Sequence, residues 1–348
     1  MSSLELVDVG TDRALLDVFS DLMLELTPEW SRSTDQMLSA LTLDPTQRRV
    51  VAMMGGEPVA FVTVGRIWVL PIDDPTAWCE LGVREPYRRQ GIGSQLLGWA
   101  EETAPLIGRS RLQVPCRGNR PEGIAFLEQR GFSEYDRMAC VELPLAGVVA
   151  PPVVLPDGVR LSSLAAEPDL RQSAYETAVE IFAELPDPEP ISAGSFEEWR
   201  MRDVDIPDGP LDGYLLAIAG DEVVGYCRLM NEERGTVVGH LMTGTRRGWR
   251  GQGVAKALKH AAIAWALERG VERMTAENAI GNDVMRGLNR TLGFQSAPDF
   301  IERRRTISAV RDPGRTSHPR GCAVLPVVSS GEGERNQPRS AASATLRA

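Results

Sequence analysis

Two stretches of the chain carry the same order of apolar runs and polar turns. Residues 50–64 (VVAMMGGEPVAFVTV) and residues 215–229 (LLAIAGDEVVGYCRL) each hold an apolar run, a glycine turn with an acidic residue, and a second apolar run. Two apolar runs joined by a short glycine-containing turn are typical of a β-hairpin. The pattern therefore predicts one hairpin in each half of the chain.

The similarity between the halves continues past the hairpins. Residues 88–93 (RRQGIG) match residues 250–255 (RGQGVA), and an RGF triplet at 130–132 matches an LGF triplet at 292–294. The hairpins lie 165 positions apart, and the other two pairs lie 162 positions apart. A nearly constant offset indicates that a whole domain is duplicated.

Composition places the boundaries of the two copies. Residues 143–158 form a proline-rich run that is typical of a linker. We expect the N-terminal copy at residues 1–146, a linker at 147–158, the C-terminal copy at 159–308 and a tail at 309–348. The tail is rich in Gly, Pro, Ser and Arg and has no lasting periodicity, so it is predicted to be disordered.

The same succession of elements is predicted in each copy. An amphipathic helix comes first, then the hairpin, a central strand, a helix opened by the glycine motif, a further strand, and a short helix that ends at the Gly-Phe pair. The first helix, central strand and further strand are predicted at 15–26, 77–83 and 111–114, and again at 173–184, 236–245 and 272–276. This order predicts an α+β fold, with a mixed, mostly antiparallel sheet flanked by helices in each copy.

The glycine motif has a chemistry that follows from its place before a helix. A helix N-terminus presents free backbone N–H groups and a partial positive charge. Glycines there allow a diphosphate to approach the backbone closely. The Gly-Lys-Ser/Thr of a Walker loop is missing, and so is the third glycine of a dinucleotide fingerprint. The motif therefore predicts a pyrophosphate site in each copy.

Both copies resemble the GNAT (Gcn5-related N-acetyltransferase) superfamily. The resemblance is carried by Arg88–Gly93, by Arg250–Ala255, and by the late segment NDVMRGLNRTLGF at 282–294. It implies two tandem GNAT-like domains, each with a splayed central strand pair, and an architecture similar to that of mycothiol synthase. It also implies acetyl-CoA as the cosubstrate.

The resemblance assigns a cofactor role to each loop and to the strand end before it. In this family the loop binds the coenzyme A pyrophosphate, and the strand end pairs with the pantetheine. The residues so implied are Leu81, Gly82, Val83, Arg88, Arg89, Gln90, Gly91, Ile92, Gly93 and Ser94, together with Thr243, Gly244, Thr245, Arg250, Gly251, Gln252, Gly253, Val254 and Ala255.

The family's proton donor to the leaving thiolate is absent at its usual position. Many members have Asn at the start of the late helix and Tyr seven residues later. The C-terminal copy has Asn282 and Asn289 there, whereas the N-terminal copy has Arg120 and Leu127. An amide has no proton to give at neutral pH, so Asn289 can only form hydrogen bonds.

Two residues on the central strands are candidates for the general base. His240 lies in the C-terminal copy and Glu80 in the N-terminal copy, and their strand parity places both on the same side of the sheet. The alternatives are a structural strand histidine and a salt-bridged glutamate. Glu277, Asn278 and Thr243 are further candidates to line the C-terminal cleft.

Charged segments next to these motifs have two interpretations each. The acidic run at 183–199 is expected to cover the acceptor site or to be a solvated loop. Lys256 and Lys259 follow the second loop, and we expect ordinary exposed helix positions there, with contact to the 3′-phosphate of coenzyme A as the alternative.

Charge and residue composition limit the classes of binding partner that we expect. The 348 residues include 38 basic and 48 acidic side chains, a formal net charge of -10, which argues against nucleic acid or an anionic membrane as the main partner. Three scattered histidines and five cysteines without a CxxC predict no metal site. The first residues lack the pattern of a secretory signal, so we expect a cytoplasmic monomer or homodimer.

The leading hypothesis is an N-acetyltransferase that moves an acetyl group from acetyl-CoA to a small-molecule amine by direct attack in a ternary complex. Because Asn282, the full LGF ending and a strand histidine occur together, catalysis is expected in the C-terminal copy, with Glu80 in the N-terminal copy as the competing site. A non-catalytic acyl-CoA-binding sensor or partner module is the alternative function. A nucleotide-dependent enzyme is a third, weakened by the absent Walker lysine.

Overall fold

The computed structural model describes residues 3–307, apart from the side chain of Arg234. The predicted tail at 309–348 lies outside the described residues. Within them the backbone forms thirteen strands, namely β1 (Leu4–Asp8), β2 (Arg48–Met54), β3 (Glu57–Arg66), β4 (Thr76–Val83), β5 (Arg111–Arg117), β6 (Ser133–Pro144), β7 (Val159–Ser163), β8 (Tyr214–Ala219), β9 (Glu222–Glu232), β10 (Val237–Thr245), β11 (Arg273–Ala279), β12 (Gln295–Ser296) and β13 (Phe300–Thr306).

Eight α-helices accompany these strands in the described part of the chain. They are α1 (Arg13–Leu26), α2 (Thr34–Leu43), α3 (Ile92–Leu106), α4 (Pro121–Glu128), α5 (Arg171–Phe182), α6 (Phe196–Trp199), α7 (Val254–Glu268) and α8 (Asp283–Thr291). Both predicted hairpins, both central strands and both helices after the glycine motifs are present. Side chains cap four of the helix starts: Asp12 at α1, Ser33 at α2, Ser195 at α6 and Asn282 at α8.

The strands join into one continuous sheet that runs through both copies. Its order is β1-β2-β3-β4-β5-β13-β6-β11-β10-β9-β8-β7, with β12 paired to β6. Only the pairs β4–β5 and β10–β11 are parallel among the described strands, and the other neighbours are antiparallel. The predicted α+β class with a mixed, mostly antiparallel sheet is confirmed.

The two copies exchange their last strands. β13 of the C-terminal copy lies between β5 and β6, with Ile301 opposite Cys116 on β5. In return, β6 of the N-terminal copy pairs with β11, with Val141 opposite Ala276. Each copy therefore completes the sheet of the other, and the centre of the molecule is built from both.

Helices cover both faces of the sheet in each copy. In the N-terminal copy, Phe19 of α1 packs on Phe61 at 5.1 Å between ring centres, while Leu96 of α3 packs with Val62 on the opposite face. This division follows the period of two along β3. In the C-terminal copy, α5 and α7 cover the two faces in the same way.

The acidic run at 183–199 ties the C-terminal copy to the N-terminal copy. Glu189 pairs with Arg111 at 3.1 Å and with Arg304 at 2.8 Å. Glu198 pairs with Arg66 at 3.1 Å. These carboxylates are held by arginines of the N-terminal copy and of β13, so the run acts as a clamp between the copies.

Candidate functional site

A cleft opens beside the central strand of each copy. β4 pairs with β5 only from Thr76 to Trp78, although β4 continues to Val83. β10 pairs with β11 only as far as His240, although β10 continues to Thr245. The central pair is therefore splayed in both copies, and each cleft leads to the start of α3 or α7.

The two glycine loops repeat the same internal hydrogen bonds. The first arginine of each motif donates its Nε–H to the carbonyl at the preceding strand end: Arg88 to Val83 at 3.0 Å and Arg250 to Thr245 at 3.1 Å. The glutamines, Gln90 and Gln252, each donate to the carbonyl four residues earlier, both at 3.0 Å. These side chains therefore shape the loops from within.

The start of each helix is left open toward solvent. Gly91 and Gly253 take the N-cap positions with φ of 86° and 90°, a left-handed conformation that favours glycine. No side chain caps either helix, and the first two N–H groups of α3 and of α7 have no backbone acceptor among residues 3–307. The third N–H of α3, that of Ser94, donates to the Gly91 carbonyl at 3.1 Å. Each loop can therefore hold an anion such as a diphosphate.

The loops differ in the charges around them. In the C-terminal copy, Glu184 of the acidic run forms ion pairs with both Arg247 and Arg250. In the N-terminal copy, Arg88 and Arg89 are exposed, and neither has a carboxylate partner in the part of the chain that the structure describes. The N-terminal loop therefore offers more uncompensated positive charge to a diphosphate.

Glu80 lies two residues beyond the last β4–β5 pair, at the inner end of the N-terminal cleft. Its side chain is buried, with 4% of its surface exposed, and it accepts a hydrogen bond from Thr27 at 2.5 Å. Burial raises the pKa of Glu80 to about 7. This carboxyl is therefore poised to exchange a proton near neutral pH.

A row of aromatic rings from both copies begins at Trp78, beside Glu80. Trp78, on the same face of β4, meets Trp30 edge to face at 5.6 Å. Phe300 of β13 stacks on Trp30 at 4.4 Å, and the Arg117 guanidinium lies 3.7 Å above the Phe300 ring centre. The C-terminal copy therefore supplies part of the wall around the N-terminal cleft.

The prediction that His240 and Glu80 share one side of the sheet is wrong. A β-bulge between His240 and Met242 adds one residue to β10 and reverses the alternation of its side chains. His240 points toward α7, with Nδ1 3.4 Å from Cys227 Sγ and its ring 5.8 Å from Phe294. Counted back from the strand ends that accept from the loop arginines, Met242 stands where the N-terminal copy has Glu80.

The surroundings of His240 do not favour the charged form. Its side chain is buried, and burial lowers the pKa of His240 well below its usual value, with the nearby Lys259 charge acting in the same direction. Its Nε2 has no hydrogen-bond partner. A role for His240 as general base stays a prediction.

The two asparagines of the late helix lie in different surroundings. Asn282 caps α8, where its Oδ1 accepts the Met285 N–H at 3.2 Å. Asn289 is buried, and its Nδ2 donates to Asn278 Oδ1 at 3.1 Å, while its own Oδ1 has no partner. Thr243 donates to Cys227 Sγ at 3.3 Å. Thus Asn278, Asn289 and Thr243 lie in the C-terminal cleft wall, whereas Asn282 stabilises a helix start.

Lys256 and Lys259 were both expected at exposed positions on α7, but they differ in burial. Lys256 is exposed as predicted, but Lys259 is buried with 2% of its surface exposed. The expectation of an exposed position is wrong for Lys259, because α7 is covered on more sides than its apolar spacing indicates.

A cavity of about 240 Å³ lies where the two copies meet. The lining residues with charge outnumber the apolar ones, and carboxylates outnumber arginines: Glu29, Glu142, Glu232, Glu233 and Glu277 against Arg117, Arg120 and Arg273. Burial raises the pKa of Glu232 to about 7. Pro28 and Glu29 of this wall directly follow Thr27, the hydrogen-bond donor to Glu80. Sequence reasoning missed this cavity, because it exists only where strands of both copies are interleaved.

Neither a metal-binding cluster nor a membrane-spanning helix occurs in the described part of the chain. Among residues 3–307, no three His, Cys, Asp or Glu side chains are grouped so that they could hold a metal ion. In the same range, no helix combines the length and the apolar character needed to cross a membrane.

Several solved structures share this fold. A GCN5-related N-acetyltransferase from Sphaerobacter thermophilus matches with a TM-score of 0.61 at 21% identity, over 89% of this chain and 98% of that one. A tandem GNAT protein from the clavulanic acid biosynthesis pathway matches with a TM-score of 0.71 at 20% identity, over 89% of this chain and 100% of that one. N-myristoyltransferase of Saccharomyces cerevisiae, with bound myristoyl-CoA, matches with a TM-score of 0.62 at 12% identity, over 89% of this chain and 80% of that one.

Sequence comparison gives the family. A search of curated proteins found no match. The family model described as the acetyltransferase (GNAT) family matches residues 15–132 and again residues 171–294, which together make up more than half of the chain. With a duplicated motif, two splayed strand pairs and two matched segments, the chain belongs to the acetyltransferase (GNAT) family as a tandem member.

Proposed function

We propose that the N-terminal copy transfers an acetyl group from acetyl-CoA to an amine, with Glu80 as the general base. The observation that carries this proposal is the buried Glu80 carboxyl at the inner end of the splayed strands, with its pKa raised to about 7. A base with a pKa near the working pH is the most effective. The sequence alone favoured the C-terminal copy, where Met242 stands in the place of Glu80.

The N-terminal loop supports the binding half of the proposal. The free N–H groups at the start of α3 fit the diphosphate of coenzyme A, and so do the guanidiniums of Arg88 and Arg89, which have no carboxylate partner among residues 3–307. In the C-terminal copy the corresponding arginine, Arg250, is held by Glu184. The N-terminal cleft therefore combines the stronger anion site with the better placed base.

The reaction follows from these positions. The amine nitrogen attacks the thioester carbon, Glu80 takes the proton that the nitrogen releases, and the C–S bond breaks so that coenzyme A leaves as its thiolate. Free N–H groups of β4 at the splay polarise the carbonyl oxygen of the thioester. Position 127 holds a buried leucine, so the thiolate takes its proton from water rather than from that side chain.

The acceptor is a cationic amine. The cavity between the copies is lined by five glutamates and three arginines and begins beside the segment that holds Glu80. The pKa of Glu232 is raised to about 7 and that of Glu277 to about 8, chiefly by burial, so an arriving ammonium ion also favours the ionised form of these two carboxyls. An ammonium ion is attracted to such a surface. It then loses its extra proton to solvent before attack, since only the neutral amine is a nucleophile.

A matched pair of loop variants tests which copy is catalytic. Gly91→Glu places a carboxylate in the N-terminal loop, and Gly253→Glu does the same in the C-terminal loop. In a thiol-release assay with acetyl-CoA and a panel of amines, Gly91→Glu is expected to lose nearly all turnover and Gly253→Glu to retain most of it, with circular dichroism of both unchanged. The opposite result would assign catalysis to the C-terminal copy.

A non-catalytic acyl-CoA-binding module is the second candidate, and one observation favours it. Both positions of the family's proton-donating tyrosine are occupied by other residues, Leu127 and Asn289. Stoichiometric binding of acetyl-CoA, with no thiol released in the presence of any amine, would favour this function over catalysis.

A further inference from the structure

The C-terminal cleft contains a buried group of polar side chains that the proposed reaction does not use. We call it the Lys259 cluster and define it as Lys259, His240, Cys227 and Asn289. Two of its members lie beside Phe294, with the Lys259 Nζ 5.5 Å and the His240 ring 5.8 Å from the centre of that ring. The main-chain carbonyl of Asn289 accepts the Phe294 N–H at 3.1 Å, which places the residue next to this ring in the chain's fold.

The N-terminal copy shows that the fold does not need these polar groups. By the offsets between the copies, Lys259 corresponds to Leu97, Asn289 to Leu127 and Cys227 to Val62. By strand pairing, His240 opposite Leu229 corresponds to Cys79 opposite Val64. All four N-terminal side chains are buried in the apolar core. The polar cluster is therefore particular to the C-terminal cleft.

Polar atoms of the Lys259 cluster lack hydrogen-bond partners. Lys259 is 2% exposed, and among the described residues its ammonium has no ion pair and no hydrogen bond. His240 Nε2 and Asn289 Oδ1 are also buried without a partner. Burial lowers the pKa of Lys259 to about 8, so the group is still mostly charged at neutral pH. Two buried polar atoms without a partner, beside a nearly buried lysine, are unfavourable, which indicates that a group outside residues 3–307 completes the site.

The cluster lies along the cleft rather than at a distance from it. His240 is the last residue of β10 that pairs with β11, so it marks the apex of the splay. Thr243, three residues further on, donates to Cys227 Sγ at 3.3 Å and links the cluster to the strand end. The open N-terminus of α7 lies at the outer end of the same cleft.

We propose that the C-terminal cleft binds a coenzyme A derivative whose sulfur end carries a negative charge, with Lys259 as the counter-ion. The loop before α7 holds the diphosphate, and Lys259 faces the anion at the inner end. The anion is either a carboxylate at the end of the acyl group or the thiolate of coenzyme A itself. This site is separate from catalysis at Glu80 and does not depend on it.

Calorimetric titration of the full-length Gly91→Glu protein tests the proposal, because this variant leaves only the C-terminal loop intact. The probes are succinyl-CoA, acetyl-CoA, coenzyme A and its S-methyl thioether, all at pH 7. We expect one anionic probe to bind at least tenfold more tightly than its neutral counterpart. Preference for succinyl-CoA over acetyl-CoA identifies a carboxylate. Preference for coenzyme A over the thioether, with release of a proton, identifies the thiolate.

The matched variant is Lys259→Leu, which introduces the side chain that the N-terminal copy has at this position, and Lys259→Arg is its charge-retaining control. Lys259→Leu is expected to remove the preference without lowering the Tm, while Lys259→Arg keeps at least part of the preference. Equal affinities for all probes, a preference that survives Lys259→Leu, or no binding to the Gly91→Glu protein would each overturn the proposal. None of these results bears on turnover by the N-terminal copy.

Discussion

Replacing Glu80 with glutamine separates the chemistry of this side chain from its place in the fold. Glutamine keeps the shape of a protonated glutamic acid, and its carbonyl oxygen can still accept the Thr27 hydrogen bond. What it removes is the ability to take a proton. We therefore expect thiol release to fall roughly 10²-fold or more, within the range for loss of a general base.

The same substitution is expected to stabilise the protein at alkaline pH. Burial raises the pKa of Glu80 from 4.5 to about 7, so the folded state holds a proton that the unfolded chain gives up. The stability from this group is complete below pH 4.5 and is lost as the pH rises through 7. At 1.36 kcal/mol per pKa unit, the loss amounts to about 3 kcal/mol, which Glu80→Gln avoids.

Two measurements check this reasoning. Urea unfolding at pH 5 and pH 8 should show little difference between wild type and Glu80→Gln at pH 5, and a variant more stable by about 3 kcal/mol at pH 8. The wild-type kcat/KM should rise as the pH passes 7, and this limb should vanish in the variant. Equal stability at both pH values together with an unchanged pH–rate profile would refute the assignment of Glu80.

Two further changes test the surroundings of this site. Thr27→Val removes a hydrogen bond that lowers the pKa of Glu80. The acid limb of the kcat/KM profile should therefore move to higher pH, while the plateau rate stays similar. If the limb does not move, Thr27 does not influence the pKa of the catalytic base. Phe300→Ala should cost about 3–5 kcal/mol in urea unfolding, because Phe300 is buried between Trp30 and Arg117 at the junction of the copies. The exposed Val284→Ala serves as its control, with a change within about 0.5 kcal/mol, and a similar value for both variants would contradict the packing argument.

Features that depend only on residues close together in the sequence could be predicted. The hairpins, the central strands and the helices after the glycine motifs follow from local periodicity and from glycine turns. The loops around Gly91 and Gly253 were predicted for the same reason, since a left-handed residue at a helix start requires glycine.

One extra residue in β10 explains why the predicted side of the sheet is wrong for His240. Strand parity has a period of two, so the bulge at Leu241 sends every earlier side chain of β10 to the opposite face. Nothing in the composition of the strand marks that position. The same limit applies to Lys259, whose burial depends on how α7 is covered by Phe294 and the strands below it.

The exchange of β6 and β13 could not be predicted either, because it depends on which copy's sheet each strand joins. Both strands pair with segments far away in the chain, and no local pattern in the sequence specifies such partners. The cavity and the aromatic wall around Glu80 depend on that choice. The local elements were thus predictable from the sequence, whereas the surface between the copies was not.

The exchanged strands also govern how this protein is made on the ribosome. The N-terminal sheet stays open at the edge of β5 until β13, Phe300–Thr306, has been translated, which is near the end of the described chain. Throughout synthesis that edge exposes unpaired N–H and C=O groups to other strands, a known route to aggregation. The N-terminal copy is therefore aggregation-prone during synthesis until its last strand pairs with β5.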